Sequence, residues 1–440
     1  MKRFHLPYTF LFLFLIGSIG CETPQEHPEP VEAIVEKAEP VAPAVAQTDI
    51  IDNARIPTIA LDASSEKMYV AFFQKDGDIN NVYLASKHVD EEAWNTPVRA
   101  SSGLVNASVH GQAPAQVVVG PEGNVYVVWT SSIPVEGRRF PASDLLFARS
   151  LDGGSTFDPP RAINSDAGGF PAGHTFQDIT VANDGTIYVS WLDSRERYRA
   201  MAANQTSNVM QTVSHEHNAS SHAMHEPGTQ VWVASSTDFG QTFTDGTVVA
   251  KETCQCCRTS IMVAEDGTVY VAWRHIFPNM ERDMALAHST DGGNTFTEPR
   301  RIFADNWSVE GCPHSGPSLT IDAAGVFHAT WYTGVETHPG LYYSTSMDGV
   351  TFSEPTTLVA EVGVSQVHAS GHGDKHTWLT WEDKKAKGIQ LAYTDETGKL
   401  TYINEAFSAG TLPSIATTPS LWAIASQVGD SIQVMHGTLQ

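Results

Sequence analysis

Basic residues are scarce in this chain. Its 440 residues hold 26 Lys and Arg against 50 Asp and Glu, a formal net charge of −24. A general binder of phosphate backbones needs clustered cations to displace counterions, so nucleic acid is excluded as the expected partner. Long apolar runs are missing too. The stretch from Tyr8 to Ile16 is too short for a spanning helix with its own stop-transfer flank. Cysteine numbers five: Cys21, then Cys254, Cys256, Cys257 and Cys312. Residues 22–47 offer little to bury, being rich in Pro, Glu and Ala, and read as an extended tether rather than a domain.

What is present at the start is directional. Lys2 and Arg3 precede the apolar run, and small residues lead to Cys21, the layout of a signal peptide over residues 1–20. Ser18-Ile19-Gly20-Cys21 resembles the lipobox of bacterial lipoproteins, although Ser18 stands where that family prefers Leu. The resemblance implies acylation of Cys21 and a membrane partner reached through the lipid anchor. Glu22 follows in place of an inner-membrane retention aspartate, which favours the outer membrane.

Residues 48–440 repeat. An aromatic strand recurs as MYVAFF, NVYVVW, TIYVSW, TVYVAW, VFHATW and HTWLTW, and each is followed by a second β-rich run such as LLFARS or MALAHS. Short strands at regular spacing with turns between them indicate a propeller, because a four-stranded unit cannot bury both faces unless neighbours stack and close. Six full repeats end near residue 407, yet three more strand-like runs follow from Leu412. The expectation is therefore all-β, a β-propeller of seven blades closed by the segment before Arg55, with six blades plus a terminal hairpin as the alternative. The third repeat is oversized. Its residues 194–229, with His215, His217, His222, His225, Met201, Met210 and Met224, are expected to form a long loop over one mouth of the channel.

Four hairpins share one spelling, SLDGGSTF around Asp152, STDFGQTF around Asp238, STDGGNTF around Asp291 and the shorter SMDGVTF around Asp348. An aspartate can accept the amides of a tight turn, glycine supplies its left-handed residue, and the phenylalanine can pack back between sheets. These hairpins resemble the Asp-box repeats of the sialidase superfamily and related propellers. The resemblance implies structural aspartates on outer hairpins.

The residues entering each innermost strand are the best candidates for a site. Aligned repeats place Arg55, His110, His174, the 254–258 CQCCR cluster, Cys312 with His314, and His368 with His372 near the inner entrances. In an oxidising compartment the four cysteines are expected to form at least one disulfide, between the cluster and Cys312. Alternatively His174, Cys256, Cys257 and His314, with the other two thiols, could hold copper or zinc, which suit thiolate and imidazole donors.

Arg55-Ile56-Pro57 matches the Arg-Ile-Pro motif of exo-sialidases. That resemblance implies an arginine triad for a substrate carboxylate, completed by Arg258 and Arg274 through their place in the ring. It further implies a Tyr–Glu nucleophile pair from Tyr332 with Glu336 or Glu382, and Asp193 as acid/base. Three functions stay open: a glycan-binding or glycan-hydrolysing propeller, a metal-binding propeller, and a non-catalytic propeller that binds a surface protein.

Overall fold

The computed structural model describes residues 44–103, 105–209, 228–371, 376–394, 399–407 and 409–438. Among these residues, twenty-eight strands form seven antiparallel sheets of four. The molecule is a seven-bladed β-propeller. In the first blade the strands run outward from Arg55–Asp62 through Lys67–Asp76 and Ile79–His88 to the short Val98–Arg99. The next five innermost strands are Gln116–Val119, His174–Val181, Ser260–Val263, Ser318–Ile321 and Val364–Ser370.

The seventh blade settles the blade count. Thr411–Thr417, Leu421–Val428 and Ser431–Thr438 supply its inner three strands, and Ala44–Asp52 adds the outermost one against Ser431–Thr438. The first strand thus ties the two ends of the fold together, which replaces two exposed sheet edges by a paired one. It starts at Ala44, inside the stretch expected to be tether. Asp49 on that strand accepts from buried Lys87 of the first blade at 2.6 Å and lies 3.1 Å from His436 Nε2 of the seventh.

The apolar core lies in wedges between adjacent blades. Trp129, Trp191, Trp273, Trp331 and Trp381, the last residues of the aromatic repeats, are fully buried there. Phe72 occupies the equivalent register in the first blade. The Asp boxes link the third and fourth strands of their blades. Ser150 Oγ donates to Asp152 at 2.7 Å, Asp152 accepts the Thr156 amide at 2.9 Å, and the arrangement recurs at Asp238 and Asp291. Asp348, in the shorter box, accepts the amides of Val350 and Thr351 instead. Each box also leans on the preceding blade. Gly240 has φ +74°, and a Cβ there would lie 2.4 Å from the Phe147 ring of the second blade. Only glycine satisfies both demands. Phe157, Phe243, Phe296 and Phe352 pack into the wedges as the repeat pattern predicts.

One expectation is corrected. Arg195–Val209, expected to be loop, is an α-helix. Its run of Arg, Glu, Ala, Met and Gln contains no Gly or Pro, and such residues form helix readily. The Asp193 carboxylate accepts the Arg195 amide at 2.9 Å at the helix start. The remainder of the expected His/Met loop, residues 210–227, lies outside the described residues, as do His372 and Cys21.

Candidate functional site

A repeated backbone irregularity builds the mouth of the channel. Ile56, Phe176, His314, Gln366 and Leu412 all have φ between 50° and 58°. They stand at or just before the innermost strands of the first, third, fifth, sixth and seventh blades. Four of these strands show a β-bulge at that point. A left-handed conformation is costly for non-glycine residues, above all for β-branched isoleucine. Remote side chains hold the strained amides. Gln427 Oε1 accepts from Ile56 N at 2.8 Å, and Glu382 Oε2 accepts from Leu412 N at 3.2 Å. A β-bulge re-aims its residue, and Phe176, at one such bulge, packs beside His110 of the neighbouring blade. The rings of His110 and His314 stand 6.1 Å apart, and His110 meets Phe176 edge-on at 5.5 Å.

Beside this mouth the four thiols converge. Cys254 Sγ lies 3.7 Å from both Cys256 Sγ and Cys257 Sγ, and the three sulfurs form one compact set. Cys256, Cys312 and His314 form a second, with ligand atoms all within 4.8 Å of one another. Cys254, Cys256 and Cys257 are buried, whereas Cys312 is exposed, and all four are free cysteines. The disulfide expected between the cluster and Cys312 is therefore not formed in this structure.

Two loops must press together for these sets to form. Gly316 permits it: a Cβ there would lie 2.2 Å from the Arg258 carbonyl oxygen. Arg282 Nη1 donates to Cys254 Sγ at 3.5 Å. Hydrogen bonds from the Cys256 and Cys257 thiols hold Cys254 well below the ordinary thiol range, outweighing burial, with Arg274 and Arg282 adding charge. The bond with Cys256 also draws Cys312 down, to about 6. Burial pushes Cys257 up to about 12. The cluster therefore favours thiolate at two of its four sulfurs. The helix after Asp193 abuts the same loop, where Arg197 Nη1 donates to Gln255 Oε1 at 2.9 Å.

Of the residues matched to sialidases, Arg55 and Glu382 share a cavity, and the others do not line it. Arg55 is half-buried and donates to Asn80 Oδ1 at 3.0 Å. It lines a cavity of about 730 Å³ with Glu382, Lys384, Lys387 and Gln427, beside the channel mouth. Arg258 is buried and reaches from the fourth blade to the sixth, donating to Gln366 Oε1 at 3.2 Å and to the Val367 carbonyl. Arg274 is spent on carbonyls of Ser315, Arg282 and Tyr332, with its guanidinium over the Trp307 ring. Neither arginine keeps a face open for a substrate carboxylate. Tyr332 packs edge-on against Trp307, and Glu336 is exposed. Asp193 is fully buried, with its carboxylate taken up by Arg195 and the Trp191 indole.

His174 belongs to that same buried network and to neither sulfur set. Its Nδ1 lies 2.6 Å from the Ser143 carbonyl, and its Nε2 lies 3.0 Å from Asp166 and 3.4 Å from Asp193. Nδ1 faces a carbonyl and Nε2 lies between two carboxylates, surroundings that favour the charged imidazolium over a metal ligand. Sequence reasoning missed Gly316 and the ring of strained residues. Only Gly316 carried a signal, as a glycine close behind His314.

No family model matches the chain, and no curated protein matches it in sequence. Solved structures do resemble it. An ulvan lyase of a polysaccharide lyase family, bound to -[GlcA(1-4)Rha3S]-, is 11% identical with a TM-score of 0.53, covering 88% of this chain and 95% of that one. A virginiamycin B lyase from Staphylococcus aureus is 9% identical with a TM-score of 0.51, covering 90% and 100%. A Hadza microbial sialidase is 15% identical with a TM-score of 0.45, covering 82% and 74%. For the two lyases, at such identities, the likeness is one of fold, the β-propeller.

Proposed function

We propose that this chain is an exported, lipid-anchored propeller that holds soft metal ions, copper or zinc, in a thiolate and imidazole centre at its channel mouth. The observation that carries this reading is the sulfur spacing. At 3.7 Å, Cys254 stands far too distant from Cys256 and Cys257 for S–S bonds of about 2.05 Å. A tetrahedral ion with thiolate bonds of about 2.3 Å has its sulfurs about 3.8 Å apart. Arg282 on Cys254 supplies the outer hydrogen bond that steadies a thiolate ligand. The strong acidity of the whole chain favours attraction of cations. The anchor rests on the Cys21 sequence, which favours the outer membrane. Among the described residues no helix is long and apolar enough to cross a membrane.

Metal analysis of the protein isolated from its own compartment, with a count of free thiols, tests this. Bound copper or zinc at one ion per chain or more is expected, and the content should fall when Cys254 and Cys257 are both replaced by serine. A metal-free protein with all four cysteines oxidised to disulfides would sink the reading.

A second reading rests on a separate observation. Arg55 and Glu382 share one cavity with Lys384 and Lys387, neither of which has an ion-pair partner among the described residues. That set suits an acidic glycan, with Arg55 able to grip a carboxylate. Calorimetric titration with a uronate oligosaccharide is expected to show binding that falls about tenfold or more in Arg55→Ala, in line with loss of a charge-assisted bond of about 1.5–3 kcal/mol. Equal binding by both proteins would discard it.

A further inference from the structure

The two sulfur sets share a single residue. Cys254, Cys256 and Cys257 form one, and Cys256, Cys312 and His314 form the other. The five donor atoms do not all lie within 4.8 Å of one another. Two donors on one ion can stand no farther apart than twice a bond, which is about 4.6 Å for thiolates on zinc. One position therefore cannot serve all five donors as they stand. We infer that Cys256 bridges two ions, the inner one held with Cys254 and Cys257 and the outer one with Cys312 and His314. This deepens the metal reading above and rests on it.

The donor count selects the ion. Five donors with one shared give each ion three. Structural zinc takes four ligands, whereas a soft monovalent ion such as Cu(I) is satisfied by two or three and prefers thiolate. Charge agrees. Four thiolates with two monovalent ions leave −2, and the two guanidiniums of Arg274 and Arg282 lie beside Cys254 to balance it. Burial divides the roles. The inner position is walled by buried cysteines, while the outer one reaches solvent through exposed Cys312 and His314. His314 is presented from a strained position, with φ +50°. The Gly316 contact keeps its loop against the cluster.

Anaerobic titration of the reduced, metal-free mature protein with Cu(I), read by native mass spectrometry, tests the bridge. The unaltered chain should take up two ions. Cys312→Ser combined with His314→Ala should retain one, as should Cys254→Ser combined with Cys257→Ser, while Cys256→Ser weakens both positions. X-ray absorption of the fully loaded protein should show a copper–copper scattering path, which the one-ion variants lack. An unaltered chain that saturates at one Cu(I), with no such path, overturns the bridge while leaving the metal reading standing. A chain that takes none overturns both. Each of these two results is read on the unaltered chain, so neither depends on a variant that folds.

Discussion

Arg274→Lys is expected to lower the unfolding free energy by about 3–5 kcal/mol, the range for breaking a buried charged network. Arg274 is 1% exposed and ends the aromatic strand of the fourth blade. Its guanidinium donates to Ser315 O at 3.2 and 2.9 Å, to Arg282 O at 2.7 Å and to Tyr332 O at 2.7 Å. Lysine keeps the charge but places three donors at one point, so it cannot span carbonyls that arrive from three directions. At least one buried carbonyl loses its partner, and each such loss costs about 1–3 kcal/mol. The ring of Trp307 beneath the guanidinium adds a contact that a flexible ammonium reproduces poorly. Because the Ser315 carbonyl lies next to His314, the damage should spread to the outer donor set. Chemical denaturation of both proteins, followed by tryptophan fluorescence, measures the change. A lysine variant as stable as the parent would mean that Arg274 is not a structural clamp, and would return it to the role of a ligand-facing cation.

The misassignment of Arg274 shows which features a linear sequence carries. The Asp boxes were legible because their chemistry closes within eight residues: serine, aspartate, glycine and threonine bond one another around a single turn. The seventh blade was legible because its three strand patterns had nowhere else to pair, and closure by the preceding segment follows from that. Arg274 and Arg258 were not legible. Their partners are carbonyls of Ser315, Tyr332 and Val367, and any residue type supplies a carbonyl. A sequence shows an arginine but not the oxygens that occupy it.

The helix at Arg195–Val209 failed for a different reason. It is polar nearly all round, so no apolar stripe announces it, and propensity is the only local trace. The ring of left-handed residues left no trace at all. Ile56, Phe176, His314, Gln366 and Leu412 share no side-chain chemistry, and their common backbone geometry comes from the way innermost strands enter the channel. The sulfur centre lies between these extremes. Its four cysteines were visible as donors, but pairing by disulfide and sharing a metal demand the same residues. Only the 3.7 Å spacing separates them.

His174→Gln should bring a stability loss of about 3 kcal/mol near pH 6, within the range for breaking a buried ion pair, and that loss should shrink as pH rises. Burial alone would lower the pKa of this imidazole. The hydrogen bond to Asp166 and the charges of Asp193 and Asp166 outweigh it, and the folded-state pKa is raised. A group with a raised folded pKa binds its proton more tightly in the native state. Its stabilisation is complete below the unfolded value of about 6.5 and disappears as pH climbs through the folded value. The neighbouring Asp166 acts in the opposite sense. Its hydrogen bonds to His174 and Asn164 overcome burial and depress its pKa, so its contribution is present above the unfolded value of about 3.9 and fades as acid reaches the folded one. Arg195 faces both carboxylates, at 2.6 Å from Asp193 and 3.3 Å from Asp166, and remains charged throughout. Other shifted imidazoles among the described residues, at His110, His275, His328, His368 and His436, are all lowered, so their effects lie below pH 6.5. The difference in unfolding free energy between the two proteins, measured from pH 5.5 to 9, therefore isolates His174. A gap that narrows above pH 6.5 fits an imidazolium clamped between two carboxylates at the root of the helix. A gap that stays constant would mean the ring is neutral in the folded protein, and one of its nitrogens would again be free to accept a bond or a metal.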